Sequence, residues 1–278
     1  MSSFSERYGL NLRKQIQLEN VDLPLLNRLW NIFYEREYET EIFDLGGEIG
    51  VTEYLLDSFG LTYEYPQSAF DINRNIEKLR NFLIDTEWYI IYDFIERYVS
   101  CFPKSADRNN LEKDINRVLE EEKSGYRMLR GLITPITNIG ELDSLKESMS
   151  TKYVSVNTHM EKALQLFSQR RSPDYENSIK ESISAVEAMC CIITNETGSQ
   201  ATLGKTIRKL KEKGIHIHSA MESAFSSLYG YTSDEAGIRH GGIDFTNAPA
   251  EDAKYMLISC SAFINYLVEK WAKANNKE

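Results

Sequence analysis

The run AFDINRNIEKLRNFLIDTEWYIIYDFIERYVSCF occupies residues 69–102 and keeps its apolar side chains at three- and four-residue spacing. That period fits amphipathic helix and excludes an alternating strand. It predicts two helices, one running to about Ile84 and one from Asp85. Tyr89, Tyr92 and Phe94 read as packing residues with polar edges. The same spacing brings Leu25, Leu26, Leu29, Ile32 and Phe33 onto one stripe, with Pro24 suited to the first turn. The shorter piece EIGVTEYLLDSFG is periodic and stops at Gly60. The segment KSADRNNLEKDINRVLEEEKSGYRML is so charged between its apolar positions that much of it faces water. GYRMLRGLITPITN departs from the pattern: it is compact, apolar and β-branched, and fits a short hairpin, an extended strand or a loop closing the domain. The fold class read from this patterning is mainly α, in two helical domains.

In the second half, IGELDSLKESMS begins a helix or turn, and the chain is helical again from about Val156. RRSPDYEN, residues 170–177, carries boundary signals. The helix before it nevertheless pairs with the next as a two-helix hairpin, so the second domain is expected to begin near Ser144. The expected domains are residues 1–143 and 144–278. Ile179, Ile183, Val186, Met189, Cys190 and Ile193 form the core stripe of the next helix, with Gly198 as its stop. TLGKTIRKLKEKG reads as a short basic helix ended by Gly214, and a further helix follows Ser219. Pro249, Glu251 and Asp252 mark the start of the last long helix. Tyr255, Leu257, Ile258, Phe263, Leu267 and Trp271 are expected to supply its buried side.

Charge narrows the function. The chain carries 32 basic and 42 acidic side chains, a formal charge of −10, which argues against a generic DNA-coating role. The last 78 residues hold 10 basic and 9 acidic side chains, so contact with a polyanion is expected there. The four cysteines lack metal-binding spacing and read as buried thiols. With no apolar run suited to a signal peptide or a membrane span, the expected location is the cytoplasm.

YTSDEAGIRHGG, residues 231–242, holds the adjacent pair Arg239 and His240 between glycines. A histidine can take the 2′-hydroxyl proton of RNA near neutral pH. An arginine can steady the charge on the phosphorane with its donor fork. The alternative is a polar turn in which Arg239 binds Asp234, Glu235 or a helix end. Adjacent side chains on a helix diverge by about 100°, so a symmetric dimer is one way to bring two pairs to one phosphate. Lys205, Arg208, Lys209, Lys211 and Lys213 give a basic face that either meets RNA phosphates or is simply solvated. Glu187 is the candidate to orient Arg239 or His240. His216 and His218 alternate in an extended segment, and with His240 they make a three-nitrogen zinc set, but no carboxylate or cysteine motif completes it. The expectation is no metal and no cofactor. GKT at 204–206 lacks the upstream glycine frame of a phosphate loop, and LGGEIG at 45–50 lacks a dinucleotide fingerprint.

FSERYGL, LLNRLWNIFY and LRNFLIDTEWYIIYDFIE, within residues 2–100, resemble an AbiJ-type N-terminal domain of bacterial abortive-infection proteins. SIKESISAVEAMCCIIT, TLGKTIRKLKEKG, LYGYTSDEAGIRHGG and AKYMLISCSAFINYLVE, within residues 170–271, resemble a HEPN-type helical domain. The resemblance implies a helical bundle in the C-terminal domain and a role in antiphage defence, alone or beside a partner protein. It further implies a metal-independent endoribonuclease acting on RNA as a homodimer. HEPN ribonucleases space their arginine and histidine by four to six residues at the head of the last long helix. Arg239 and His240 match in type and place but not in spacing. A non-catalytic RNA- or protein-binding or dimerisation module of an abortive-infection system is therefore the alternative.

Overall fold

The computed structural model describes Tyr8 and residues 15–43, 50–65, 67–102, 106–169, 172–196, 206–207, 209–233 and 248–275. The chain divides into two compact units, Met1–Thr137 and Asn138–Glu278. It is predominantly α-helical, as the patterning predicts.

The first unit contains α1 (Leu23–Phe43), α2 (Val51–Ser58), α3 (Ala69–Ile84), α4 (Trp88–Ser100) and α5 (Ala106–Glu121). Its core is mostly aliphatic and holds an aromatic cluster. Trp30, Phe33, Phe94 and Tyr98 are all at least 95% buried, and the Phe33 ring meets those of Phe94 and Tyr98 edge-on at 5.4 and 5.2 Å. Such edge-to-face pairs add to the gain from burial. Tyr92 is fully buried and its hydroxyl lies 2.7 Å from Ser124 Oγ, whereas Tyr89 is 38% exposed. Ser68 caps α3 by accepting from Asp71 N, and α2 stops before Gly60, whose φ is +70°.

The segment that breaks the helical period is a hairpin. Strands β1 (Arg127–Leu129) and β2 (Leu132–Thr134) pair antiparallel around Arg130 and Gly131. Both turn residues have positive φ, +53° and +83°, the backbone of a two-residue type I′ turn that matches the strand twist. Arg108 Nη2 donates to the Arg130 carbonyl at 3.0 Å, and Glu112 accepts from Arg130 N. A second tie closes the unit. Gln17 forms a parallel bridge with Ser124, donating its N–H to the Lys123 carbonyl and accepting from Gly125 N. Its amide also donates to the Glu122 carbonyl at 2.7 Å.

The second unit contains α6 (Ile139–Ser148), α7 (Val154–Phe167), α8 (Tyr175–Thr194), a 3-10 turn (Leu210–Lys213), α9 (Ser219–Ser233) and α10 (Ala250–Asn275). α7 and α8 form the expected antiparallel hairpin: Ser178 Oγ donates to the Ala163 carbonyl, and Phe167 meets Tyr175. α10 packs on α8, α6 and α7. The six residues of the α8 stripe are all buried.

Two boundary and burial expectations are corrected. α8 ends at Thr194, not at Gly198: Asn195 takes the left-handed cap at φ +59°, and Gly198 lies outside the described residues. Asparagine tolerates that conformation, so no glycine is needed. On α10, Leu257, Phe263 and Leu267 are buried as expected, but Tyr255 is 59% exposed and Ile258 and Trp271 are only half-buried. Ala253, Met256, Cys260 and Ile264 complete the buried stripe instead.

Candidate functional site

Along the chain, Arg239 and His240 fall between Ser233, the last residue of α9, and Ala250, the first of α10. Both lie outside the described residues, as do Lys205 and Arg208. What the structure describes is the framework on either side and the remaining candidates.

That framework has a direction. Tyr175 opens α8, and burial together with the charge of Glu251 at the head of α10 raises its phenol pKa. At the other end, Gly214 lies against Ala274, and Lys270 Nζ reaches the His216 carbonyl at 3.5 Å. α8 and α10 therefore run the same way, and α9 returns between their ends, its Phe225 stacked on Phe263. At 1.5 Å per helical residue, the head of α10 and the 3-10 turn stand about 30 Å apart.

The basic candidates sit at the far end. Thr206, Ile207 and Leu210 are buried and anchor the segment, which leaves Lys209, Lys211 and Lys213 exposed. Gly214 ends the turn with φ +76°, as its glycine predicts. Lys209 pairs with Glu196, and this contact raises the Lys209 pKa. Lys211 Nζ lies 3.1 Å from Glu222. Two of the three described lysines thus already have carboxylate partners, which an RNA phosphate would have to displace. Glu187 is half-buried on α8, one turn before Cys191, and its charge helps to raise the thiol pKa values of Cys190 and Cys191. It shares this end of the bundle with the lysines.

His216 and His218 flank buried Ile217 and are both exposed. His218 acts structurally, its Nδ1 accepting from Ala220 N at 3.2 Å to cap the start of α9. Among the described residues no group of three or more His, Cys, Asp or Glu is placed to hold a metal ion. Cys190 and Cys260 are buried as expected, whereas Cys101 and Cys191 are half-buried, and the raised pKa of Cys190, Cys191 and Cys260 leaves those three thiols unsuited to nucleophilic work near neutrality. Burial pushes Cys260 up to about 12 and moves Cys190 in the same direction.

One polar cluster escaped the sequence reading. His159 on α7 places Nδ1 2.5 Å from Glu181 Oε2 on α8, and Lys162 Nζ lies 3.7 Å from the other carboxylate oxygen. The signal was available in the hairpin itself. A register that sets Ser178 against Ala163 brings Glu181 opposite His159. The cluster ties the two helices together on a partly exposed face.

Two family models match the chain. One, described as AbiJ N-terminal domain 4, covers residues 2–151, and one described as a HEPN-like domain covers residues 155–271. Comparison with curated proteins and with solved structures gives no match. No helix among the described residues is long and apolar enough to cross a membrane.

Proposed function

Since the chain belongs to the AbiJ N-terminal domain 4 family and carries a HEPN-like domain behind it, we propose that it is a metal-independent endoribonuclease of antiphage defence. The two-domain architecture is that of an AbiJ/HEPN-type defence protein. One observation supports the finer reading. Within the HEPN-like match, an arginine and a histidine both lie on the chain between α9 and the last long helix. In this reading His240 handles the 2′-hydroxyl or leaving-group proton, and Arg239 steadies the scissile phosphate. The arginine supplies the positive charge, so the scheme needs no metal. A homodimer through the C-terminal domain supplies a second pair, in the cytoplasm, with or without a defence-system partner protein. Lys205, Arg208, Lys209, Lys211 and Lys213 hold RNA backbone with an affinity that falls as salt rises. Glu187 orients one member of the pair.

The test is cleavage of a mixed RNA pool in EDTA, with the product ends identified. The expected result is 2′,3′-cyclic phosphate ends from the wild type. His240→Ala and Arg239→Ala abolish cleavage, and Arg239→Lys does not restore it because the fork is lost. His159→Ala, a change in the histidine–carboxylate contact between α7 and α8, leaves cleavage intact. Equal cleavage by wild type and His240→Ala overturns the site.

The adjacency of Arg239 and His240, together with the glutamate partners of Lys209 and Lys211, favours a second reading. In it the C-terminal domain is a non-catalytic RNA- or protein-binding or dimerisation module. RNA retention without cleavage by wild type and both alanine variants supports that module.

A further inference from the structure

The first unit holds a cleft of about 370 Å³ that no part of the ribonuclease reading uses. Val51, Tyr54 and Asp57 line it from one face of α2, Gly50 from the N-cap of that helix, Tyr63 from the segment that follows, and Cys101 from the C-cap of α4. The volume is at the small end of the range for ligand pockets, roughly 300–1,000 Å³. Its chemistry is specific. Two tyrosine rings offer flat, polarisable surface, and Tyr54 is 45% exposed and open to stacking. The Asp57 carboxylate is exposed and has no ion pair or side-chain hydrogen bond among the described residues. The phenols of Tyr54 and Tyr63 likewise carry no described hydrogen bond. No lysine or arginine is among the described lining residues. Arg97, one turn before Cys101, is engaged by the Ser58 carbonyl and the face of the Phe59 ring.

The described lining suits a ligand that is planar, brings a donor for Asp57 and lacks phosphate. Residues 1–137 reinforce the last condition: they carry 16 basic against 24 acidic side chains, so an anionic ligand is repelled. We propose that the cleft between α2 and Tyr63 binds the amine-bearing base of a free nucleoside, stacked on Tyr54 and donating its exocyclic amine to Asp57. Tyr63 supplies a hydroxyl to a ring nitrogen or a ribose oxygen. Base–aromatic stacking gives affinity without sequence readout, and the carboxylate supplies the discrimination.

The experiment is ligand-observed NMR and calorimetric titration of the full chain with adenosine, cytidine, inosine, ATP and hexa-adenylate. Adenosine and cytidine are expected to bind, and inosine, which lacks the amine, at least five-fold more weakly (about 1 kcal/mol). ATP and hexa-adenylate are expected to bind more weakly than adenosine. Asp57→Ala should reduce the gap between adenosine and inosine to less than two-fold, and Tyr54→Ala should weaken both by about ten-fold, as loss of a stacking partner does. Both side chains are exposed, so the variants keep the core, and the adenosine–inosine comparison needs no variant at all. The proposal is overturned by no adenosine or cytidine binding at millimolar concentration. Equal affinity for adenosine and inosine, or ATP or hexa-adenylate binding as tightly as adenosine, also overturns it.

Discussion

Replacing Gly131 with alanine has two separable costs. The first is conformational. A φ of +83° lies in the left-handed region, where a Cβ costs about 1–2 kcal/mol. The second is a collision. A Cβ at this position would sit 2.0 Å from Arg108 Nη2 and 3.1 Å from its Cζ, so the guanidinium must move. That group donates to the Arg130 carbonyl and lies 3.5 Å from Glu112, which is only 6% exposed. Weakening a charge-assisted contact to a buried carboxylate costs about 1–3 kcal/mol. The expected total is about 2–5 kcal/mol. Gly60→Ala is the control. Its φ is +70°, and nothing lies within 4 Å of the Cβ it would gain, so only the conformational cost applies. Denaturant unfolding of the full chain, followed by tryptophan fluorescence, measures both variants. In an Arg108→Ala background, Gly131→Ala should cost no more than Gly60→Ala does. Equal costs for the two glycine variants in the wild-type background would refute the assigned role of Arg108.

Leu257→Ala should destabilise the second unit by about 2–5 kcal/mol, because the side chain is fully buried where α10 packs on α8; a change near zero in its unfolding midpoint would remove Leu257 from the core. Alkali should destabilise the same unit through Cys260. Its folded pKa is raised from an ordinary 9 to about 12 by burial, so the native thiol keeps its proton while the unfolded one loses it. This contribution is fully present below pH 9 and falls by about 1.4 kcal/mol per pH unit between pH 9 and 12. Unfolding measured at pH 8, 9 and 10 should therefore show a shallower alkaline loss in Cys260→Ala than in wild type.

The helices were legible because their apolar spacing is regular; the finer assignments failed where a second physical rule applied. Tyr255 is the clearest case. At 100° per residue it lies about 200° round the helix from both Ala253 and Leu257, so it leaves the stripe that they define. Weighing its large apolar ring above its phase put it in the core. Glycine is the commoner left-handed cap and points to Gly198, whereas Asn195 stops α8 three residues earlier. The hairpin stayed open in sequence because Arg130 is an unusual residue at positive φ, and the ties from Arg108 and Glu112 that hold it come from another helix. At the candidate site, residue types and chain position point to Arg239 and His240, while the glutamate partners of Lys209 and Lys211 appear only once the segments are assembled in space.

The Gln17 clasp sets an order of events for a growing chain. Its partners lie more than a hundred positions downstream: the Gln17 amide reaches Glu122 across 105 residues, and Tyr126 Oη donates to the Leu18 carbonyl across 108. At about 5–20 residues per second, the N-terminal arm waits several seconds or more for these partners to leave the ribosome. α1 to α4 can collapse on their aromatic cluster during that interval, but the arm cannot dock. Closing so long a loop is also the kind of contact that slows folding. The clasp is thus expected to form last in the first unit and to be the first part to open. Amide exchange at Gln17 and Gly125 should accordingly be faster than at Phe33 or Phe94.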